Sequence, residues 1–136
     1  MAHQAFESFR LENKFLHLEN NGEMIILSVD EKFWSERSSG SYHQSGRLMG
    51  ILKIDIGPSH WEMHPDGDEL LYLLSGSMDV VIKLEGKDKV TTLDRFASCI
   101  VPRETWHQTI AREPCTLLFI TPSKDTQHRE YKEAND

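Results

Sequence analysis

Trp61-Glu62-Met63-His64-Pro65-Asp66-Gly67-Asp68-Glu69, running on through Leu70-Leu71-Tyr72-Leu73-Leu74-Ser75 to Gly76, is the stretch that decides the fold. Glu62 and His64 lie two residues apart, so an extended backbone projects both side chains from one face. Pro65-Asp66-Gly67-Asp68 has turn composition. It reverses the chain and delivers Glu69 at the head of an apolar run that reads as the next strand. Three ligand-type side chains can thus converge from two adjacent strands. A fourth candidate lies downstream, in Val101-Pro102-Arg103-Glu104-Thr105-Trp106-His107. There a strand ends at Pro102, a short turn follows, and His107 opens the next segment. Imidazole and carboxylate together suit one divalent transition metal (iron, manganese, nickel or zinc), and the motif does not choose among them. Each group also has a plainer alternative. His64 with Glu69, and likewise His107, could be strand-end hydrogen-bonding groups, and Glu62 could be a solvent-facing strand residue.

The same strand-and-turn character extends in both directions. Residues 24–29, 48–56, 70–74, 78–84, 89–93, 97–101 and 116–121 have strand composition. Turn-rich clusters at 20–22, 38–41, 65–68, 75–76 and 85–88 separate them. Seven or more short strands at such intervals point to an all-β sandwich or barrel. Residues 48–56 do not alternate cleanly, which leaves their faces ambiguous. Phe6 and Phe9, three apart, hint at a helix around 6–18. From residue 124 the chain is polar and charged, as in a mobile tail.

A length of 136 residues suits one domain with a real core. The 22 Asp+Glu outweigh 15 Lys+Arg for a formal charge of −7, which argues against nucleic acid and against anionic membrane surfaces. Cys99 and Cys115 are too few for a disulfide framework and show no CxxC spacing, as expected of a reducing compartment. The start, Met1-Ala2-His3-Gln4, lacks a signal-peptide pattern, and no apolar run reaches membrane-span length. The expectation is a cytoplasmic protein. No GxGxxG, Gly-rich phosphate loop or serine elbow supports nucleotide binding or serine hydrolysis.

The two motifs together resemble the cupins. The first cupin motif reads His-x-His, three or four residues, Glu, six residues, Gly. Glu62-x-His64, four residues, Glu69, six residues, Gly76 fits it, with Glu in place of the first His. The second reads Gly, five residues, Pro-x-Gly-x-x-His, three residues, Asn. Pro102 and His107 match, whereas Phe96, Glu104 and Ala111 stand where Gly, Gly and Asn would be. Glycine at such positions often serves a positive φ or a close backbone approach, so the turn presenting His107 is the point of departure. The resemblance spans about residues 48–121, and the string Trp61-Glu62-x-His64-Pro65-x-Gly67-Asp68-Glu69, with Val101-Pro102 and Trp106-His107, also looks like a subgroup of single-domain cupins without a settled activity.

The resemblance implies a single double-stranded β-helix, or jelly-roll barrel, over residues 23–122. Residues 1–22 would be an N-terminal extension and 123–136 a polar C-terminal tail. It further implies metal ligation by His64, Glu69 and His107, with Glu62 as fourth ligand or catalytic base, and a homodimer paired through edge strands. Three histidines and one glutamate around a dication leave a charge of +1, whereas two and two leave a neutral site. Neutrality weakens Lewis-acid polarisation and favours harder metals. The implied function is a metal-dependent enzyme acting on a small organic molecule by oxygenation, isomerisation or decarboxylation. The alternative is a non-catalytic cupin that binds a small ligand or metal as a sensor or accessory module. His60, which shares the alternation of Glu62 and His64, could line the same mouth or lie on the surface. His128 could join the site or sit in a solvated tail. Arg103 and Arg47 could meet an anionic substrate or lie in exposed turns, and Trp61, Trp106 and Trp34 could wall a pocket or pack in the core.

Overall fold

The computed structural model describes residues 6–38, 45–124 and 126–129. Among these the chain forms twelve strands and one short helix: β1 (Lys14–Leu18), β2 (Met24–Ser28), α1 (Phe33–Ser38), β3 (Arg47–Ile54), β4 (Gly57–Pro58), β5 (Trp61–Met63), β6 (Glu69–Ser75), β7 (Met78–Leu84), β8 (Lys87–Leu93), β9 (Ser98–Val101), β10 (His107–Ala111), β11 (Cys115–Pro122) and β12 (Gln127–Arg129). One antiparallel sheet has the order β2-β1-β3-β11-β6-β9. The other runs β12-β5-β10-β7-β8, with β4 also pairing β10. The all-β jelly roll expected from the sequence is what the chain forms, and each of the seven anticipated strand segments overlaps an observed strand.

The core lies between the sheets because the central strands send alternate side chains inward. Leu48, Leu71, Leu73, Leu117 and Phe119 from the first sheet meet Met78, Val80, Leu93 and Ala111 from the second. At one end Phe15 stacks edge-on against Phe33 and Phe119, with ring centroids 5.3 and 5.4 Å apart. Gly50 makes room for it, since a Cβ there would lie 2.3 Å from the Phe15 ring. Residues 14–18 form a strand, not part of the helix hinted at from residue 6. Burying Phe15 and His17 between partly buried neighbours imposes period two, and Phe6, one of the two residues behind the helical spacing, is 96% exposed. Part of the stretch expected as a polar tail forms β12, which pairs with β5. Residues 130–136, and the turn cluster at 38–41 beyond Ser38, lie outside the described residues.

Phe96 and Glu104, which replace the two motif glycines, have φ values of 70° and 61°. The left-handed geometry that glycine would favour is therefore kept by residues carrying a Cβ. Glu104 turns the chain toward β10 while its N–H donates to the His64 carbonyl at 3.0 Å. Gly76, the matching glycine of the first motif, has φ 95°, and a Cβ on it would lie 2.6 Å from the Pro114 carbonyl oxygen. A side chain in this region costs on the order of 1 kcal/mol when space is free, and more when it collides. Glu104→Gly is expected to raise unfolding stability by about 0.5–1 kcal/mol and Gly76→Ala to lower it by at least about 2 kcal/mol. Chemical denaturation of the two variants checks this. Loss of stability in Glu104→Gly would contradict the strain assigned to that turn.

Candidate metal centre

Both sheets contribute to one cluster near a mouth of the barrel. Glu62 comes from the middle of β5 and sits directly opposite His107, the first residue of β10. His64 follows the end of β5, and Glu69 opens β6 on the facing sheet. The short hairpin between β5 and β6 is clamped to the turn before His107. The Arg103 backbone N–H donates to Asp68 Oδ1 at 2.8 Å, and its guanidinium donates to the Asp66 carbonyl at 3.0 Å. With the Glu104–His64 backbone bond, these contacts hold the two motif turns in fixed relation.

One ligand atom from each of Glu62, His64, Glu69 and His107 can be chosen so that all four lie within 4.8 Å of one another. His107 Nε2 is 2.9 Å from Glu69 Oε1, and His64 Nε2 is 3.4 Å from the same oxygen and 3.7 Å from Glu62 Oε1. Donors around one ion with bonds of ~2.1 Å stand roughly 3.0–3.4 Å apart, and at most ~4.2 Å when opposite. The contacts of 2.9–3.7 Å are close to that spacing, and the widest pair would have to draw in around a divalent cation. The imidazole orientations fit as well. His107 Nδ1 donates to the Thr105 carbonyl at 3.1 Å, and His64 Nδ1 lies 2.9 Å from Thr126 Oγ1. Each ring is thus held from its far side with Nε2 turned toward the shared carboxylate, the arrangement that prepares histidine for a metal. Thr121 Oγ1 stands a further 3.2 Å from His64 Nε2.

Glu69, His64 and His107 are buried, and Glu62 is partly exposed. Burial opposes ionisation of Glu69, but hydrogen bonds and positive charge from His107 and His64 prevail and hold its carboxyl down at about 2, against an ordinary 4.5. For His107, burial disfavours the imidazolium, yet the Glu69 carboxylate outweighs it and raises its pKa above the usual 6.5. The same carboxylate adds to the effect of burial in raising the Cys99 thiol.

The remaining sequence candidates fall outside this cluster or at its rim. His128, on β12, stands 3.4 Å from Glu62 Oε2 and flanks the cluster. His60 is exposed and not part of it. Arg103 serves the inter-turn clamp. Trp61 is buried with Val81 against Trp106 and Ile110 in a separate cluster, with Lys83 over its ring. Trp34 packs edge-on against Phe15 and Phe33. None of the three tryptophans belongs to the ligand group. Thr105 and Thr126, which orient the imidazoles, were not singled out from sequence. The only signal for Thr126 was its place two residues before His128.

A family profile described as the cupin domain matches residues 50–121. A search of curated proteins finds no match. Solved structures similar to this chain include a cupin-2 domain containing protein from Shewanella frigidimarina, at 19% identity over 65% of this chain and 91% of that one, TM-score 0.49. Oxalate decarboxylase from Bacillus subtilis aligns at 18% identity over 62% of this chain and 24% of its own, TM-score 0.54. An oxalate oxidase aligns at 13% identity over 59% of this chain and 44% of its own, TM-score 0.52. The two oxalate enzymes share the fold, and this chain spans less than half of either.

The paired shifts set a pH profile for chelator-treated protein. The depressed Glu69 contributes stability that is full above 4.5 and lost as pH falls toward 2. The raised His107 contributes stability that is full below 6.5 and lost as pH rises through its folded-state value. Melting temperature should therefore be highest between pH 4.5 and 6.5, and the alkaline decline should be missing in His107→Gln. Metal affinity should run the other way and weaken as pH falls, because ligation needs neutral imidazoles. Thermal melts across pH with and without chelator check both. An alkaline decline that persists in His107→Gln would dissociate it from this ion pair.

Proposed function

Because the chain belongs to the cupin-domain family, whose profile covers more than half of its length, we propose that the protein is a metal-dependent enzyme acting on a small organic molecule. His64, Glu69 and His107 hold the metal, and Glu62 is either the fourth ligand or the base that moves a proton. The observation that carries this proposal is the convergence of four donors with both imidazoles anchored at Nδ1. A bound divalent metal would supply Lewis-acid polarisation of a substrate oxygen. Glu69 brings its charge into a buried site, and the threonine contacts keep both rings aimed. Glu62 is the most exposed of the four and faces His128 on its outer side, so its carboxylate is placed to exchange a proton with solvent.

Oxygenation, isomerisation and decarboxylation all suit such a site. Two carboxylates and two imidazoles make it neutral around a dication. That neutrality favours a neutral or singly charged ligand over a dianion such as the oxalate named for the two structural neighbours. It also supports the second reading, a non-catalytic cupin that senses or carries a small ligand. Cys99 and Cys115 are free thiols, consistent with a reducing cytoplasmic setting.

Metal content separates these readings from a metal-free barrel. Protein purified without a metal-affinity tag is expected to carry close to one equivalent of a first-row metal, and His64→Ala to lose most of it. Equal content in the two would sink the ligand assignment. In an aerobic and anaerobic substrate screen with iron, manganese and nickel, Glu62→Gln is expected to abolish turnover while retaining metal. Turnover that survives the change would remove Glu62 from proton transfer, and absence of turnover in the parent would favour the sensor.

We also propose a homodimer, but through the outer face of the first sheet instead of the edge-strand pairing that the resemblance implies. Cross-strand pairing sets Ile26, Leu16, Met49, Ile120, Leu70 and Ile100 in one row across all six strands, and all are at most partly buried. The outward positions of this sheet carry no carboxylate, although the chain has excess acid. Six strands at about 4.8 Å give a face ~29 Å wide, or roughly 600–800 Å² over three to four rows, near the ~800 Å² per partner of a stable interface. Light scattering at tens of micromolar is expected to give twice the chain mass, and Ile100→Glu with Met49→Lys to give the monomer. A monomeric parent protein would refute this interface.

A further inference from the structure

Beside the donor cluster lies an open cavity of about 250 Å³, walled by Val80, Ile82, Thr91, Cys99 and Val101, with the exposed Val90 and Ile100 at its rim and Lys89 as its one charged lining residue. It opens between β8 and β9, the outermost strands of their respective sheets. Its relation to the cluster follows from strand pairing. Val101 sits opposite Glu69, and Ile82 sits opposite His107 on one side and Lys89 on the other. His107, Ile82 and Lys89 therefore form one row across β10, β7 and β8, with side chains on the same face. Two strand spacings of about 4.8 Å put the Lys89 backbone ~10 Å from that of His107. Among the described residues, no carboxylate lies within ion-pair distance of Lys89, whereas Lys83 and Lys53 have acidic partners.

We propose that this cavity selects a short aliphatic monocarboxylate, its carboxylate at Lys89 and its carbon chain on Ile82, Val80 and Val101. The far end of the chain then points at the donor cluster. The proposal deepens the small-molecule function above and rests on it for the chemistry at that end, but the cavity can be tested separately. Four features support this ligand class. The walls are mostly apolar, which accommodates a hydrocarbon body. The single charge is a cation without an acidic partner, which a carboxylate complements. Thr91, two residues from Lys89 on the same strand face, offers a hydroxyl donor to the same anion. The ~10 Å between the backbones at the ends of the row leaves room for a short chain only.

The test uses chelator-treated full-length protein, so that a carboxylate cannot register by binding metal. Pentanoate and pentan-1-ol are titrated in parallel by calorimetry and by amide NMR shifts. Pentanoate is expected to bind more tightly than pentan-1-ol and to shift the Thr91 and Val101 amides. Lys89→Gln should weaken pentanoate about 5–10-fold and leave pentan-1-ol unchanged, as loss of a partly exposed charge-assisted bond predicts. Lys89→Arg should restore affinity to within about twofold. Equal affinity for acid and alcohol, or a Lys89→Gln variant that binds pentanoate as the parent does, would overturn the proposal. Metal analysis of the same preparations before chelation keeps the two levels apart. Absence of metal with Lys89-dependent pentanoate binding removes the enzyme reading and keeps the cavity, whereas metal without such binding does the reverse.

Discussion

The rest of the site depends on one buried carboxylate. Glu69 heads β6 inside the barrel, where an unpaired charge would cost several kcal/mol. Two imidazoles meet it there, at 2.9 and 3.4 Å, and each needs its own far-side contact to stay aimed. His107 draws that contact from the carbonyl of its own turn, two residues back. His64 takes it from Thr126, near the end of the described chain. The pairing of β12 with β5 therefore has a purpose beyond closing the sheet, because it delivers Thr126 to His64 and His128 to Glu62. A carboxyl held at about 2 instead of 4.5 corresponds to a net gain of about 3 kcal/mol in metal-free protein, after the cost of burial has been met by the pairing. A cation at the same place would take over the charge balance that the imidazoles otherwise provide.

That geometry survives an unusual choice of residues. Phe96 and Glu104 occupy left-handed backbone positions that normally favour glycine, yet β9 and β10 still leave the turn correctly. The two turns, one before β9 and one before β10, persist because their partners over-determine them. The Phe96 N–H donates to the Leu73 carbonyl, Glu104 to His64, and Arg103 to the hairpin opposite. A few hydrogen bonds of roughly 1 kcal/mol each offset a backbone cost of similar size. Glycine makes this conformation cheap, but it is not the only way to reach it. Losing a glycine from a motif therefore says little about whether the motif's turn is lost.

How far the sequence could be read depends on where the information lies. Glu62, His64 and Glu69 were legible because strand period and a short turn are local. They needed only the inference that residues two apart share a face. Joining His107 to them required the family pattern, since nothing within residues 101–107 says which strand β10 will adjoin. β1 was obscured by Phe6 and Phe9, whose spacing imitates a helix. The deciding pair, Phe15 and His17, alternates over too few residues to stand out. β12 is short and fully exposed, so its strand character comes from β5 and leaves no apolar signature. Residues 48–56 resisted assignment for the opposite reason. Leu48 and Leu52 face the core while Met49 and Ile51 lie on the outer face, so both sides are apolar and the period disappears.

The distribution of charge joins these features. An excess of acid over base looks at first like a coat for solubility, but its placement is selective. Two carboxylates turn toward the imidazoles, Glu69 in the interior and Glu62 while still partly exposed. None occupies the outward face of the first sheet, and the cavity beside the cluster has a lone cation. An apolar face is easier to desolvate without acids, and an anion enters a cavity more readily when no carboxylate lines it. The acids that remain exposed repel other acidic surfaces, and that repulsion is weakest where they are missing. On those two surfaces neither an apolar face nor an anion would meet a carboxylate.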